Sequence, residues 1–195
     1  TLFRLGPDHY RICCQERHLN WLLDSAFGFD VTVSEETEAI AALALQGPTS
    51  AEVLRRAGFD IDGLKPFRMA EFPLGSGKLM ISRTGFTGDL GYELWTAPDQ
   101  SLALWDLLFE AGRLHGLRPI GSGTLNMARL EAGLIVTGYD FTPADTCVRE
   151  DRLRSPLEMG LAWMIDWDKG HFTGKAALQR QRDKGTRWSF VGLEI

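Results

Sequence analysis

Apolar positions along this chain change their period several times, and each change marks an element. Residues 1–14 (TLFRLGPDHYRICC) alternate around a Gly-Pro-Asp turn, the pattern of a hairpin. From His18 to Phe27 the spacing lengthens to that of a helix, with Leu19, Leu22 and Leu23 on one side. FDVTVSEE then reads as a strand, and the apolar run IAALALQG predicts a buried strand ending at Gly47. Thr49-Ser50-Ala51-Glu52 has the form of a capping box, in which the hydroxyl takes a free amide and the carboxylate reaches back. The helix it opens should stop at Gly58. MAEFPLGS and GKLMISRTGF predict a strand pair, and YELWTAP a further strand. Residues 101–115 give the strongest amphipathic helix, with Leu104, Leu107, Leu108 and Ala111 on one face and Gly116 at its end. A helix over 123–134, a short strand at LAWMIDW, a helix after Thr173 as its cap and a final strand complete the pattern.

Strands in pairs alternating with helices predict an α+β fold with mostly antiparallel sheets and packed helices, rather than a doubly wound βαβα chain. Strand–helix–strand–strand recurs in both halves, which suggests an internal duplication, although the letters themselves show no repeat.

Composition narrows the function classes. The 195 residues suffice for a sizeable core, and 44% hydrophobic with 24% charged residues is ordinary for a globular protein. A net charge of −5 gives no support to nucleic-acid binding, which needs basic patches. No apolar run reaches the ~20 residues that span a bilayer, so no membrane partner is expected. Three cysteines are too few for a disulfide framework and fit a reducing, cytoplasmic compartment. The chain starts at TLFRLG and stops at FVGLEI like a strand cut short, the expectation for a piece of a longer protein.

Several familiar sites are missing from the letters. There is no G-x-G-x-x-G after a strand and no G-x-x-x-x-G-K-[ST], and His9, His18, His115 and His171 have no metal-ligand spacing. Cys13 and Cys14 are adjacent, so on a strand they point to opposite faces and cannot act as a C-x-x-C pair.

The stretch SRTGFTGDLGYELW, Ser82 to Trp95, is more informative. A hairpin with Gly88-Asp89 in its turn explains its glycines but leaves Glu93 unexplained. Alternation puts Glu93 on one face with Gly91 and Trp95, opposite Tyr92 and Leu94. An acid beside Trp95 needs a partner, and a carboxylate can accept two parallel N–H bonds from a guanidinium or an amidine-like heterocycle. On the 123–134 helix Arg129 shares a face with Asn126, either as part of a site or as a solvated charge. Arg149 with RLRSP (152–156) is a small basic cluster, open to the same two readings. Trp163 suits a core or a stacking role beside a flat ligand.

Together LALQGPTSAEVL, SRTGFTGDLGYELW, RLEAGLIVTGYDF and SPLEMGLAWMIDWDKGHFTGKAAL resemble, in this order and over nearly the whole chain, the folate-binding region of the glycine cleavage system aminomethyltransferase (T-protein) superfamily. Folate-dependent demethylases and the folate domains of sarcosine and dimethylglycine oxidising enzymes share these blocks. The resemblance implies an α+β fold with tetrahydrofolate in a central cavity and transfer of a one-carbon unit to N5 of the pterin. It implies a folate-binding domain over residues 1–190, with 191–195 opening a C-terminal barrel. Glu93 matches the glutamate that binds the pterin amino and lactam N–H groups, and Arg129 the arginine of R-L-E-A-G. Phe86 replaces the tyrosine of R-T-G-Y-T-G, next to Gly85, and Trp163 matches a pocket tryptophan. The catalytic aspartate is expected just before Thr1, so the resemblance assigns no catalytic residue within the chain.

The chain departs from the pattern in three places. Leu125-Asn126 replace an Arg-Asp pair, ICCQ replaces V-V-N-A, and the loop of YDFTPADTCVREDRLRSPLEMG is enlarged. The resemblance leaves three roles open: an aminomethyltransferase receiving its donor from the lipoyl arm of a carrier protein, an O- or S-demethylase, and a non-catalytic folate-binding module.

Overall fold

The computed structural model describes residues 1–144 and 146–193. Its centre is a four-stranded sheet of β3 (Ala41–Gln46), β4 (Met69–Leu74), β5 (Gly77–Ser82) and β6 (Gly91–Thr96) in the order β3-β6-β5-β4, every neighbouring pair antiparallel. Before it stand a small hairpin, β1 (Leu2–Arg4) with β2 (Tyr10–Ile12), and helix α1 (Leu19–Ala26). Helix α2 (Ser50–Arg56) connects β3 to β4, and α3 (Ser101–Gly112) follows β6. Helices α4 (Ser122–Glu131) and α5 (Lys175–Lys184) lie in the last third of the chain.

Period two divides the sheet into two unlike faces. One carries Leu45, Leu79, Ile81, Tyr92 and Leu94, which pack with Val53 and Leu54 of α2 and with Leu104, Leu108 and Ala111 of α3. Six of these, Val53, Leu54, Leu79, Ile81, Leu94 and Leu104, are fully buried, each worth about 1.5–3 kcal/mol of transfer free energy. The other face carries Ala42 and Ala44 of β3, Gly91, Glu93 and Trp95 of β6, and Met80 and Ser82 of β5. Ala42 and Ala44 on that face are exposed. The hairpin reaches across it at one place, where Phe3 meets Trp95 edge-on at 5.3 Å between ring centroids.

The α+β antiparallel architecture agrees with the sequence pattern, and so do the hairpin, α1, the four sheet strands, α2, α3 and α4. Four local expectations are corrected. FDVTVSEE forms no strand: residues 31–36 enter no strand pairing, and Phe29 and Val31 are exposed. Alternation makes a strand only where the backbone pairs with a neighbouring strand, and this segment joins neither sheet. Thr49 does sit at the N-cap of α2, but its hydroxyl makes no capping bond, and Glu52 pairs with Arg55 instead. The reciprocal pattern forms at Ser155: its N–H donates to Glu158 Oε2 at 3.1 Å, and the Glu158 N–H donates to Ser155 Oγ at 3.3 Å. LAWMIDW holds a single 3₁₀ turn, Ala162–Met164, in place of a strand. Helix α5 is entered through Gly174 at φ 93°, which glycine adopts freely, without a side-chain cap from Thr173.

Among the described residues no named strand follows β6, so the final strand and the duplication are not reproduced. The last residues of the expected barrel start, Glu194 and Ile195, lie outside the described residues.

Candidate functional site

The β5–β6 connection, residues 83–90, runs along the rim of the open face and builds a site around Glu93. The neighbours of Glu93 across the sheet are Ala44 on β3 and Ser82 on β5. Thr84 Oγ1 donates to Glu93 Oε2. The single hydroxyl proton of Thr84 is thereby committed, so Ser82 Oγ must donate the 2.8 Å bond between the two hydroxyls. Trp95 Nε1 in turn donates to Ser82 Oγ at 3.3 Å. The result is a chain of donors, Trp95 to Ser82 to Thr84, aimed at one oxygen of a carboxylate.

Among the described residues Oε1 of Glu93 has no hydrogen-bond partner, and Oε2 keeps a second lone-pair direction. Glu93 is half-buried, and the small side chain of Ala44 beside it leaves the face clear. A carboxylate held at one oxygen, with the other left without a protein partner, can accept from a flat group with two adjacent N–H donors. Two residues along β6, Trp95 forms part of the wall of a cavity of about 580 Å³ between the hairpin and the sheet. Leu5, His9 and Arg11 line it from the hairpin, Met69 and Met80 from the sheet, with Glu71 and Lys78 at its edge. That volume lies within the range of small-molecule sites, ~300–1,000 Å³. Among the described residues no cluster of His, Cys, Asp or Glu could hold a metal ion.

The remaining sequence-predicted residues are placed as follows. An added Cβ on Gly85 would meet Gln46 Oε1 at 2.0 Å, and one on Gly91 would meet the same atom at 1.9 Å. These two glycines therefore make room for Gln46, whose amide donates to the Tyr92 carbonyl at 3.2 Å and the Thr84 carbonyl at 3.4 Å. Gly88, at φ 76°, brings the loop against α4: its added Cβ would stand 2.6 Å from Ala132 Cβ. Phe86 is half-buried on the same loop.

Arg129, one turn before Ala132, is 3% exposed. Its Nε donates to Asn126 Oδ1 at 2.8 Å, and its Nη1 to the Leu134 carbonyl at 3.2 Å and to Asp140 Oδ2. Asp140 Oδ2 also accepts the Val136 N–H at 2.6 Å. Arg129 thus fastens the end of α4 to residues 134–140, and among the described residues its Nη2 carries no hydrogen bond. Gly85 and Phe86 follow Thr84 on the loop that bonds Glu93, and the same loop meets the helix of Arg129 through the Gly88–Ala132 contact. Trp163 stands apart on its 3₁₀ turn, 79% exposed.

Sequence reasoning missed Gln46, Thr84 and Asp140. Gln46 left a signal, since it is the one amide in the run AALALQ and falls on the face of Ala42 and Ala44. Asp140 left only its place in the block RLEAGLIVTGYDF.

Comparison with known proteins identifies the family. The family described as the GCVT N-terminal domain matches residues 1–169. The chain belongs to this family. Among curated family relatives, an aminomethyltransferase of Chlorobaculum parvum is 37% identical over 203 residues, covering 100% of this chain and 52% of the relative. An aminomethyltransferase of Halothermothrix orenii is 35% identical over 199 residues, covering 100% of this chain and 53% of the relative. The crystal structure of glycine cleavage system aminomethyltransferase T from Bartonella henselae superposes with a TM-score of 0.71 at 29% identity, covering 86% of this chain and 42% of that one. The chain spans about half the length of the curated relatives it matches.

Proposed function

We propose that the whole protein containing this chain is an aminomethyltransferase that moves a one-carbon unit to tetrahydrofolate, and that this chain supplies the pterin grip. The observation that carries the reading is Glu93: a carboxylate held by Thr84 at one oxygen, the other having no hydrogen-bond partner among the described residues. The donor set fits the ligand, because the pterin edge presents an amino group and a lactam N–H side by side, and the carboxylate offers two acceptors. Tetrahydrofolate would supply N5 and N10, between which the carbon ends, with ammonia and the lipoyl thiol of a carrier protein as leaving groups that take the two N–H protons.

The chain's own residues bind and orient. Glu93 fixes the ring, and Thr84 and Ser82 hold the carboxylate. Phe86 and Gly85 shape the loop above it, and Arg129 keeps α4 against that loop. Trp163 stands apart from Glu93 on its exposed turn, and the family resemblance alone assigns it to the pocket. Placement of two reactants in this way is worth up to about 7–11 kcal/mol in favourable cases. Residues 1–190 form the folate-binding unit in this reading, and 191–195 lead into a barrel. Three free cysteines agree with a reducing cytoplasm, and among the described residues no helix is long and apolar enough to cross a membrane.

The test supplies the full-length protein with tetrahydrofolate and an aminomethylated lipoyl carrier. Methylene-tetrahydrofolate and ammonia in equal amounts are expected. Turnover of a methoxy or methylthio donor to methyl-tetrahydrofolate in their place would overturn the aminomethyl assignment.

A further inference from the structure

The segment from Thr84 to Asp89 carries the hydroxyl that holds Glu93, yet its backbone belongs to neither sheet. Among the described residues, none of its N–H or carbonyl groups makes a backbone–backbone hydrogen bond. Such pairing stops on both sides of it. The Arg83 N–H donates to the Arg68 carbonyl at 2.9 Å, and the Leu90 carbonyl accepts the Gly47 N–H at 2.8 Å. A segment without a ladder has many conformations open to it, so the Thr84 hydroxyl needs another means of being kept on its target.

Gln46, the last residue of β3, stands opposite Gly91 in the sheet and supplies it. Its Nε2 donates to the Thr84 carbonyl at 3.4 Å and to the Tyr92 carbonyl at 3.2 Å. Both are groups that can only accept, which fixes which end of the amide faces them. Its Oε1 accepts from Thr87 Oγ1 at 3.3 Å. One side chain thereby joins the start and the middle of the loop to the strand that follows it. The space it fills admits nothing else. A Cβ on Gly85 would stand 2.8 Å from Gln46 Cδ, and one on Gly91 would stand 2.3 Å from the same atom. Neither glycine has a positive φ, so the amide, and not the backbone, requires glycine at both places.

We propose that Gln46 is the positioning residue of the ligand grip: by holding the Thr84 carbonyl it sets the Thr84 hydroxyl on Glu93, and so fixes the carboxylate before a ligand arrives. This rests on the folate reading above and deepens it, since Gln46 acts through Thr84 rather than by touching the ligand. Without the amide, the hydroxyl is no longer kept on Oε2. The ligand then has to order the carboxylate itself, and that ordering is taken from its affinity.

The experiment is a double-mutant cycle on the full-length protein, read by titration calorimetry with tetrahydrofolate. Gln46→Met fills the same space without the amide, and Thr84→Val removes the hydroxyl. Each alone should weaken binding about tenfold. The double variant should bind no more weakly than Thr84→Val, because the only route from Gln46 to Glu93 is already cut. A merely structural role for Gln46 gives losses that multiply to about 100-fold. Gly85→Ala displaces the amide without deleting it and repeats the comparison should Gln46→Met not fold. Multiplying losses, unchanged affinity in Gln46→Met, or a loss in Gln46→Met with none in Thr84→Val would each overturn the inference. The folate reading stands through all three as long as Glu93→Gln still weakens binding. If tetrahydrofolate does not bind the unaltered protein, or binds Glu93→Gln equally well, the folate reading fails and takes the inference with it.

Discussion

Two parts of the molecule are held together by different means. From β3 to α3 the structure is an apolar sandwich: one sheet face against two helices, with Leu79, Ile81, Leu94 and Leu104 fully buried. After Gly112 the buried side chains among the described residues are Arg129, Glu158 and Met159. That region relies on polar fastenings: Arg129 to Asp140, Ser155 to Glu158, and the Arg154 and Arg187 guanidinium groups over Trp188 at 5.0 and 5.2 Å. The candidate site lies at the seam, with Glu93 on the rigid sheet and Arg129 behind the loop on the polar side. The sheet side fixes an acceptor in place, while the polar side is joined by hydrogen bonds and ion pairs rather than by a buried apolar face.

The sharpest way to break this comparison is to cut one fastening. Asp140→Ala leaves Arg129 buried without its partner, and loss of one member of a buried pair costs about 3–5 kcal/mol. Limited proteolysis should then cleave within 113–193 while the 41–112 unit survives. Loss of both parts together would show that they are one cooperative unit. Leu94→Ala probes the other side. A cavity at a fully buried position of the central strand should cost about 2–5 kcal/mol and lower the melting temperature of the whole chain. A change confined to the region after Gly112 would contradict the division.

The same contrast explains what was legible beforehand. Apolar periodicity marks elements that bury a face, so β3, α2, β4, β5, β6 and α3 could be read from the letters. The alternation that buries Tyr92 and Leu94 also placed Glu93 on the opposite face. Periodicity carries no information about polar fastenings. It did not show that Arg129 is matched by Asp140, eleven positions on, or that Gln46 fills the space over Gly85 and Gly91. It also could not tell Thr49-Ser50-Ala51-Glu52, where Glu52 is drawn to Arg55, from Ser155-Pro156-Leu157-Glu158, where the reciprocal bonds form. FDVTVSEE has the right alternation, but pairing depends on an available sheet edge, which a single segment cannot reveal.

The central claim is that Glu93 grips a ring through two acceptors, and Glu93→Gln tests it at constant shape. The amide keeps one acceptor and turns an NH₂ toward the N–H donors of the ring. Titration calorimetry of tetrahydrofolate into the full-length protein should then show a loss of about 2–4 kcal/mol, on the order of 100-fold in dissociation constant, with an unchanged circular dichroism spectrum. Equal affinity in the two proteins would contradict the account.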